Sequence, residues 1–595
     1  MREFSLPALY EVPADGNLTD IVRGNAARHP DSPVIARKVA GRWREVSAAA
    51  FLGEVRAVAK GLVASGVQPG DRVALMSRSR YEWVLFDFAI WTAGGVTVPV
   101  YDTSSAEQVR WVLGDSGAVA CVVELDAHAG VVASVRDEVP ALAHVWQIEA
   151  GGVEELRRAG EGVADAVVDE RAASARADDP ATVVYTSGTT GRPKGCVLTH
   201  RSFFAECGNV VERMRPLFRD GGSVLLFLPL SHVFGRLVEV ASMMAPLTLG
   251  CVPDVKQLTE ELAAFRPTLI LGVPRVFEKV FNAAAARARA DGKGKIFDRA
   301  AETAVAHSRA RDTPGGPSFG LRLRHAVFDR LVYARLRAVL GGRGEYAISG
   351  GAPLGERLGH FFRGIGFTVL EGYGLTESCA ATTFNPWDRP KVGTVGQPLP
   401  GSVVRIADDG EVLLHGEHLF RGYWNNPEAT REALADGWFH TGDVGTLDED
   451  GYLRITGRKK EIIVTAGGKN VAPAVIEDRI RAHALVAECM VVGDQRPFVA
   501  ALVTLDEEFL GHWAREHGKQ PDPGALRTDP ELLAELQRAV DDGNAAVSRP
   551  ESVRKFRVYP GQFTEESGHL TPSMKLKRAA VAKDLADEIE ALYES

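Results

Sequence analysis

Cysteines are few in this sequence, and none of them stands in a CxxC pair. A disulfide framework or a cysteine zinc site usually shows closely spaced cysteines. The pattern therefore favours reduced thiols in a cytoplasmic protein over either alternative. The six cysteines are Cys121, Cys196, Cys207, Cys251, Cys379 and Cys489.

Long apolar runs are also lacking. The N-terminal residues MREFSLPALYEVPADG contain no apolar core of a secretory signal. The longest uncharged apolar stretch, from Val240 to Pro253, falls short of the roughly 18 residues that a helix needs to cross a bilayer. We expect a soluble protein without a transmembrane segment, whereas a transient peripheral contact with a membrane stays open.

There is no excess of basic residues either. The 69 lysines and arginines are outnumbered by 78 aspartates and glutamates, which gives a formal charge of −9 with no strong segregation along the chain. Because binding to a phosphate backbone relies on concentrated lysine and arginine, a nucleic-acid partner is not expected. The length of 595 residues predicts several domain-sized units, and the oligomeric state stays open between monomer and homodimer.

Short apolar strands alternate with helices over the first 400 residues. Ser47 predicts the N-cap of a helix that stops at Gly66. Strand-like segments follow one another between helical segments, and one of these helices is predicted to begin at about Gly235. Examples of the strand-like segments are RVALM, VTVPV, AVACVVE, VLLFLPL and TLILGVP. This order predicts an α/β fold, with parallel-rich sheets that are covered by helices on both faces.

The pattern changes along the second half of the chain. Residues 278–345 form a helical insertion rich in alanine and arginine, and residues 392–457 are β-rich, with hairpin turns at DDG and DEDG. An α+β pattern follows. We predict a large N-terminal body over residues 1–457, containing the insertion and the β-rich part, and a small C-terminal α+β domain over residues 458–595.

The strongest local motif is the string YTSGTTGRPKG, which follows the apolar strand ATVVY. Its glycines permit tight turns, its hydroxyls can donate to phosphate oxygens, and Lys194 adds a positive charge. It is not a Walker A loop, because Lys194 is followed by glycine. A flexible surface loop is the alternative interpretation, but the full string with its lysine favours a phosphate-binding loop. Its candidate residues are Thr186, Ser187, Gly188, Thr189, Thr190, Gly191 and Lys194.

This string resembles the phosphate-loop signature of the adenylate-forming superfamily of AMP-binding enzymes, which includes acyl-CoA synthetases, peptide-synthetase adenylation domains and luciferases. Further motifs similar to those of the family follow in the expected order over nearly the whole chain. They are LPLSHVFGR, SGGAPL, EGYGLTES, GEVLLHGEHLFRGYW, HTGDVG, GRKKEIIVTAGGKNVAP and LTPSMKLKR. The resemblance implies a large AMP-binding domain with a small mobile C-terminal lid domain, and ATP, Mg²⁺ and coenzyme A as cofactor and co-substrates.

The resemblance also implies an adenine site. Tyr373 would offer its aromatic face to adenine, with Gly372 and Gly374 beside it. The backbone at Gly351 and Ala352 would meet the edge of the base. Taken alone, Tyr373 reads equally as a core aromatic residue.

Four further residues would hold the rest of the nucleotide and its metal. Thr376 would hydrogen-bond the α-phosphate, and Glu377 would bind Mg²⁺ together with Thr186, because carboxylate and hydroxyl oxygens suit this ion. Asp443 would accept both ribose hydroxyls, and Arg458 would reach ribose or phosphate. Each of these residues alone reads as an ordinary surface or turn residue.

Two residues are implied in acyl activation. Lys575 resembles the lysine that bridges the acyl carboxylate and the α-phosphate during adenylation. His232 resembles the histidine that orients the acyl and pantetheine sites, although a histidine at this position also fits a core role. A tryptophan that gates the acyl tunnel in some relatives is replaced here by Arg236. The pair His415 and His418 is rejected as a metal site, since no third ligand lies nearby in the sequence.

The resemblance further implies a rotation of the C-terminal domain between two half-reactions, about a hinge at Lys460. After this rotation a glycine-rich loop would line the pantetheine channel. The loop consists of Gly467, Gly468 and Lys469.

The predicted reaction is the ATP-dependent activation of a carboxylic acid as an acyl-adenylate, followed by transfer to coenzyme A. The insertion and the HVFGR motif resemble long-chain fatty acyl-CoA synthetases, so a long-chain fatty acid is the expected substrate. A fatty-acyl-AMP ligase that loads a carrier protein, a CoA synthetase for another acid and a non-catalytic binding protein stay open as alternatives.

Overall fold

The computed structural model describes residues 1–186, 192–245, 247–571 and 574–594. Within these residues, a mainly parallel sheet of nine strands forms the centre of the N-terminal body. In spatial order its strands are Gln397–Pro398, Thr383–Phe384, Thr368–Tyr373, Tyr346–Ser349, Leu269–Gly272, Gly222–Leu226, Leu247–Cys251, Pro33–Val39 and Arg42–Ser47.

A second sheet is also mainly parallel and has seven strands in the described part of the chain. Its strands in spatial order are Gly422–Tyr423, Lys194–Thr199, Pro180–Thr186, Val96–Val100, Arg72–Met76, Ala120–Val123 and His144–Gln147. Helices connect the parallel strands and pack against both sheets, so the predicted α/β fold is confirmed. These helices are Thr19–Arg28, Ala48–Ala64, Tyr81–Thr92, Ala106–Ser116, Asp126–Val135, Gly152–Ala159, Asp165–Ala172, His200–Arg213, Val233–Met244, Leu258–Phe265 and Glu356–Gly364.

The helix Ala48–Ala64 illustrates how the sequence sets these elements. The Ser47 hydroxyl accepts a hydrogen bond from the backbone nitrogen of Ala50 at 3.3 Å, which satisfies a free helix N–H. Gly66 has a φ of +93°, a backbone conformation that favours glycine and ends the helix. The predicted cap and stop are both confirmed.

The β-rich part forms an antiparallel sheet that also includes the N-terminus. Its strands are Glu3–Ser5, Ser402–Ile406, Glu411–Gly416, Trp438–Leu447, Leu434–Ala435 and Leu453–Arg458. The strand Glu3–Ser5 pairs with Ser402–Ile406, about 400 residues away in the sequence. This three-residue strand was not predicted, because it is too short to show a periodic pattern.

A run of helices joins the strands Leu269–Gly272 and Tyr346–Ser349, where the helical insertion was predicted. It begins at Pro274, which occupies the first turn of its helix. His325 Nε2 lies 2.6 Å from the backbone oxygen of Gly364 and anchors the run to the body. The run consists of the helices Pro274–Ala290, Gly294–Ala310 and Phe319–Phe328, the π-helical turn Asp329–Tyr333 and the helix Ala334–Val339.

The C-terminal part has an apolar core of its own, separate from the core of the body. Its elements are the strands Ile463–Val464, Asn470–Val471, Val486–Val492, Val499–Leu505 and Val553–Val558 with the helices Pro473–Arg481, Glu507–Glu516, Pro523–Leu526, Pro530–Asn544, Arg578–Asp584 and Ala586–Tyr593. Because a separate core is the mark of a domain, we propose the boundary between residues 457 and 458. In the part of the chain that the structure describes, no helix has the length and apolar character to cross a bilayer.

Candidate active site

The candidate site lies at the carboxyl ends of two neighbouring parallel strands, Tyr346–Ser349 and Thr368–Tyr373. Ligands of open α/β sheets bind in the crevice outside this edge. Gly351 follows the first strand with a φ of +85°, and both Gly351 and Ala352 are exposed. Gly372 is the next-to-last residue of the second strand, and a Cβ atom there would lie 2.8 Å from the Phe384 ring.

Glu377 is held by a tight turn that follows the strand Thr368–Tyr373. At Gly374, a Cβ atom would lie only 2.0 Å from the backbone oxygen of Ala380, so no other residue fits. Ala380 itself has a φ of +109°, which is strained for a residue with a side chain. The backbone nitrogen of Cys379 donates to the oxygen of Thr376 at 3.1 Å. The turn therefore fixes Thr376 and Glu377 at the edge of the sheet.

The predicted phosphate loop connects two antiparallel strands, Pro180–Thr186 and Lys194–Thr199. Thr186 pairs with Lys194 across this hairpin, and its Oγ1 donates to the backbone oxygen of Lys194 at 3.5 Å. The other predicted loop residues lie outside the described residues. They are Ser187, Gly188, Thr189, Thr190 and Gly191.

The base of this hairpin is braced by the helix Ala106–Ser116. Tyr185 Oη donates to Asp115 Oδ2 at 2.6 Å, and Trp111 Nε1 donates to the backbone oxygen of Pro193 at 2.9 Å. No local motif around Trp111 or Asp115 indicates this role, because the two contacts join residues that are 82 and 70 positions apart in the sequence. These two hydrogen bonds hold the two strands of the hairpin against the helix Ala106–Ser116.

Tyr423 joins the hairpin to Glu377. The Lys194 ammonium lies 5.0 Å from the centre of the Tyr423 ring, within the range of a cation–π contact. Tyr423 Oη donates to Glu377 Oε1 at 2.7 Å. The structure therefore brings together two residues that the sequence analysis named separately. No role was predicted for Tyr423 from the sequence, although this tyrosine precedes Trp424 at the end of the motif GEVLLHGEHLFRGYW.

Asp443 is the centre of a second hydrogen-bonded group. It is 5% exposed, and Tyr373 Oη donates to its Oδ2 at 2.6 Å while Arg458 Nε donates to its Oδ1 at 2.7 Å. Asp443 and Arg458 are cross-strand partners. Burial and the charge of Asp443 raise the pKa of Tyr373 well above its usual value. Each carboxylate oxygen of Asp443 retains a second lone pair, with which it can accept a hydrogen bond from a hydroxyl group.

Lys575 lies in the cleft between these groups. Its side chain is open to solvent, yet the surrounding cleft walls and then the charge of Arg458 lower its pKa, while Asp443 and Glu377 oppose this effect. Burial and the charge of Lys575 together lower the pKa of His232 to about 4, so this imidazole is neutral at pH 7. Five residues that are far apart in the sequence thus share one electrostatic environment.

His232 is held in place as a helix cap. Its Nδ1 accepts a hydrogen bond from the backbone nitrogen of Phe234 at 3.2 Å. The helix Val233–Met244 therefore begins slightly before Gly235, the predicted start, because the histidine supplies the cap. The ring orientation is fixed by this bond.

Contacts between the C-terminal part and the body hold Lys575 in the cleft. Lys575 sits in a short loop, in which its backbone nitrogen donates to Thr571 Oγ1 at 3.0 Å. Nearby, Thr103 Oγ1 on the body donates to Glu565 Oε1 at 3.2 Å. On another side, Arg275, in the first turn of the helix Pro274–Ala290, forms an ion pair with Glu488.

The remaining predicted residues are Lys460 and a glycine-rich loop of the C-terminal part. Lys460 is exposed in the short helical turn Lys459–Glu461. Gly467 and Gly468 are exposed, and the Lys469 ammonium lies 3.0 Å from Glu551 Oε1 within the C-terminal part. Among the described contacts, none joins this loop to Lys575 or Glu377. The structure does not bring this group into the site.

The oxygen atoms at the cleft suit a magnesium ion. Glu377 contributes a carboxylate and Thr186 a hydroxyl, and both residues are tied to the Lys194 and Tyr423 pair. Over the described residues, no group of three histidine, cysteine or acidic residues could form a metal centre. His418 Nε2 instead lies 3.1 Å from Thr382 Oγ1 in the core.

Arg236 has no exposed surface, although the helix that carries it begins in the site. Its guanidinium donates to Asp87 Oδ2 at 2.6 Å and to Thr182 Oγ1 at 3.1 Å. It therefore links the helix Val233–Met244 to the helix Tyr81–Thr92. Three aromatic rings surround its guanidinium carbon. They are Trp83, Trp91 and Phe203, at 5.1, 5.4 and 5.6 Å.

Glu239 adds a second carboxyl to the same buried cluster. Its Oε2 lies 3.5 Å from Arg236 Nε, and it is as completely buried as Asp87. Burial raises the pKa of Glu239 well above its usual value, and the nearby Asp87 adds to the effect. One guanidinium thus faces two carboxyls, and a protonated Glu239 leaves a single buried ion pair.

Comparison with known proteins agrees with this geometry. The model of the family "AMP-binding enzyme" matches residues 22–424, and that of the "AMP-binding enzyme C-terminal domain" matches residues 460–595. The long-chain-fatty-acid–CoA ligase FadD15 of Mycobacterium tuberculosis is 51% identical over 598 residues, which cover 100% of both chains.

Two solved structures show the same fold. The anthranilate CoA ligase AuaEII in complex with anthranoyl-AMP gives a TM-score of 0.72 at 20% identity, over 97% of this chain and 99% of that chain. ATP-bound MatB from Rhodopseudomonas palustris gives a TM-score of 0.67 at 24% identity, over 96% of this chain and 100% of that chain. With two family models that together span most of its length and a relative similar from end to end, this chain belongs to the family of AMP-binding enzymes.

Proposed function

We propose that this protein activates a long-chain fatty acid with ATP as an acyl-adenylate and transfers the acyl group to coenzyme A. The observation that carries the proposal is the convergence of Lys575 with Asp443, Arg458 and Glu377 beside the phosphate hairpin. The choice of acid and acceptor rests on the full-length similarity to a relative named long-chain-fatty-acid–CoA ligase. We also propose the cytoplasm as its location, since its six cysteines are unpaired.

The first half-reaction joins the fatty-acid carboxylate to the α-phosphate of ATP and releases pyrophosphate. Asp443 binds the ribose hydroxyls, and Tyr373 lies against the adenine while its hydroxyl orients Asp443. Lys194 and Lys575 stabilise the negative charge that builds up on the phosphate oxygens. Held by Glu377 and Thr186, Mg²⁺ would neutralise further phosphate charge when bound.

The second half-reaction needs a different arrangement of the C-terminal domain. The thiol of coenzyme A attacks the carbonyl of the acyl-adenylate, and AMP leaves. We propose that Lys575 first withdraws by rotation about Lys460, so that Gly467, Gly468 and Lys469 then line the thiol channel. We propose that the present arrangement of the C-terminal domain serves the first half-reaction, because these three residues are exposed and Lys469 contacts Glu551 of its own domain.

Turnover should convert ATP to AMP and pyrophosphate. This product pair follows from attack at the α-phosphate, whereas a kinase-type reaction would release ADP. Nucleotide chromatography after reaction with palmitate and coenzyme A measures the outcome directly. Formation of ADP as the main product would refute the proposed reaction.

A pyrophosphate-release screen over acids of graded chain length defines the substrate. We expect the highest activity with long-chain acids, and AMP release that depends on coenzyme A. If a phosphopantetheinyl carrier protein replaces coenzyme A and coenzyme A is inert, the protein is instead a fatty-acyl-AMP ligase.

Replacing Glu377 by alanine should slow acyl-adenylate formation by a factor on the order of 10² or more, because it removes the charged oxygen ligand of Mg²⁺. Pyrophosphate release in the absence of coenzyme A measures this step. The control is Glu428→Ala, which removes an exposed carboxylate from the helix Pro427–Ala433 and should leave the rate unchanged. Normal adenylation by Glu377→Ala would show that Glu377 does not bind the metal.

A further inference from the structure

The helical insertion presents an apolar stripe to solvent. Phe319, Leu323, Val327 and Leu331 follow one another at intervals of four residues and are 82%, 59%, 50% and 53% exposed. Side chains four residues apart lie on the same side of a helix. Large apolar residues exposed singly are ordinary, but a contiguous row of four marks an interaction surface. We call these four residues the insertion stripe.

The opposite side of the same helical run already packs against the protein. Tyr333 is fully buried and donates to the backbone oxygen of Ala300 at 2.7 Å, and Leu336 and Leu340 are buried as well. The run is therefore anchored by one apolar side and carries a second apolar side that the protein does not cover. The insertion stripe is not needed to anchor the run. Its four apolar side chains therefore indicate a contact with a partner outside this chain.

The insertion is strongly basic, and this corrects the sequence-based view that charge is evenly spread. Residues 278–345 contain 14 lysines and arginines against seven acidic residues, a formal charge of +7 in a chain whose total is −9. Around the insertion stripe, several arginines are exposed while the single acidic residue, Asp329, pairs with Arg337 at 2.6 Å. The exposed arginines are Arg322, Arg324, Arg330 and Arg335.

We propose that the insertion stripe docks this protein onto an anionic lipid surface. An apolar helical face flanked by arginine is the pattern of helices that lie in the plane of a membrane, where apolar side chains enter the acyl region and the cations meet anionic headgroups. The four residues span about 18 Å along the helix, enough for a multi-point contact. Long-chain fatty acids partition into bilayers, so this position would suit the proposed substrate. That last point rests on the proposed function, whereas the docking itself does not.

A second copy of the chain is a less suitable occupant. In a symmetric dimer the stripe would face its own counterpart, which would place the arginines of both copies next to each other. Like charges directly opposed destabilise an interface, whereas an anionic bilayer pairs with all of them. The charge of the surroundings therefore favours lipid.

The test is sedimentation of the purified full-length chain with vesicles of phosphatidylcholine, with or without phosphatidylglycerol. We expect binding to the anionic vesicles and at least tenfold weaker binding by Leu323→Gln/Val327→Gln, because both side chains lose their apolar contact with the acyl region. The matched control is Val167→Gln/Val255→Gln, which changes two exposed valines elsewhere on the surface and should bind like the wild type. Equal binding by both variants would overturn the proposal.

Charge and self-association give two further readouts. Arg324→Gln/Arg330→Gln should weaken binding to anionic vesicles and reduce its dependence on salt. Light scattering should give the same mass for the wild type and for Leu323→Gln/Val327→Gln. A dimer that dissociates in this variant, without any vesicle binding by the wild type, would assign the stripe to a second copy and overturn the lipid proposal. Retained pyrophosphate release with a short, water-soluble acid shows that each variant is folded and keeps a failure of docking distinct from a failure of the proposed function.

Discussion

Replacing Lys575 by alanine will abolish acyl-adenylate formation and leave the transfer of a preformed acyl-adenylate to coenzyme A close to the wild-type rate. The first rate should fall by a factor on the order of 10³, because a charged donor in the cleft cannot be replaced by water without loss of transition-state stabilisation. Asp443 and Glu377 both raise the pKa of Lys575, as carboxylates within electrostatic range of its ammonium do, and we propose that these two residues bind the ribose and the metal. Pyrophosphate release and thioester formation measure the two steps separately.

Two controls make this result specific. Lys583→Ala removes an exposed lysine from the helix Arg578–Asp584 of the same domain and should change neither step. Lys460→Pro restricts the backbone at the proposed hinge and should impair thioester formation while sparing adenylation. If Lys575→Ala slows both steps equally, or Lys460→Pro slows neither, the rotation of the C-terminal domain does not apply to this protein.

The fold was predictable where it depends on local periodicity. The helix Ala48–Ala64 and the strand Arg72–Met76 begin and end within a residue or two of their predicted bounds, because caps and apolar alternation act within a few residues. The strand Glu3–Ser5 escaped prediction because it is too short to show a periodic pattern and its partner lies about 400 residues away. Long-range pairing leaves no trace in the sequence of one short segment.

The candidate site was predictable through motifs, and its internal contacts were not. Asp443 and Tyr373 were both assigned to the nucleotide, yet nothing in either motif indicates that the tyrosine hydroxyl binds the carboxylate. Likewise, Tyr423 had no assigned role until the structure showed its hydrogen bond to Glu377 and its cation–π contact with Lys194. Such contacts depend on where separate strands meet, which only the fold determines.

Arg236 is the clearest case of a residue whose role the sequence did not reveal. The resemblance set it at a tunnel gate, but the structure buries it completely between two helices and pairs it with Asp87. A buried ion pair contributes modestly as a whole, whereas removing one member leaves an uncompensated buried charge. The same residue is therefore a sensitive point for the stability of the helix that His232 caps.

Replacing Arg236 by methionine should lower the free energy of unfolding of the body by about 3–5 kcal/mol near neutral pH. Methionine fills much of the same volume, so the loss comes chiefly from the buried carboxylate of Asp87, which no longer faces a cation. The triple variant Arg236→Met/Asp87→Asn/Glu239→Gln removes the carboxyls as well and should regain most of this loss. Urea-induced unfolding followed by tryptophan fluorescence reports the change, since Trp83 and Trp91 surround the site.

The destabilisation by Arg236→Met should also depend on pH, with a sign fixed by Asp87. Arg236 opposes the effect of burial on the Asp87 pKa, so its loss raises that folded-state pKa further above about 3.9, the value of the unfolded chain. Groups with a raised folded-state pKa contribute their full stability below the unfolded pKa and lose it as the pH rises through the folded one. The deficit of the variant relative to the wild type should therefore shrink as the pH falls from about 8 towards about 5, while the triple variant shows no such trend. An equal deficit at both pH values would assign the loss to altered packing around the aromatic rings rather than to buried charge.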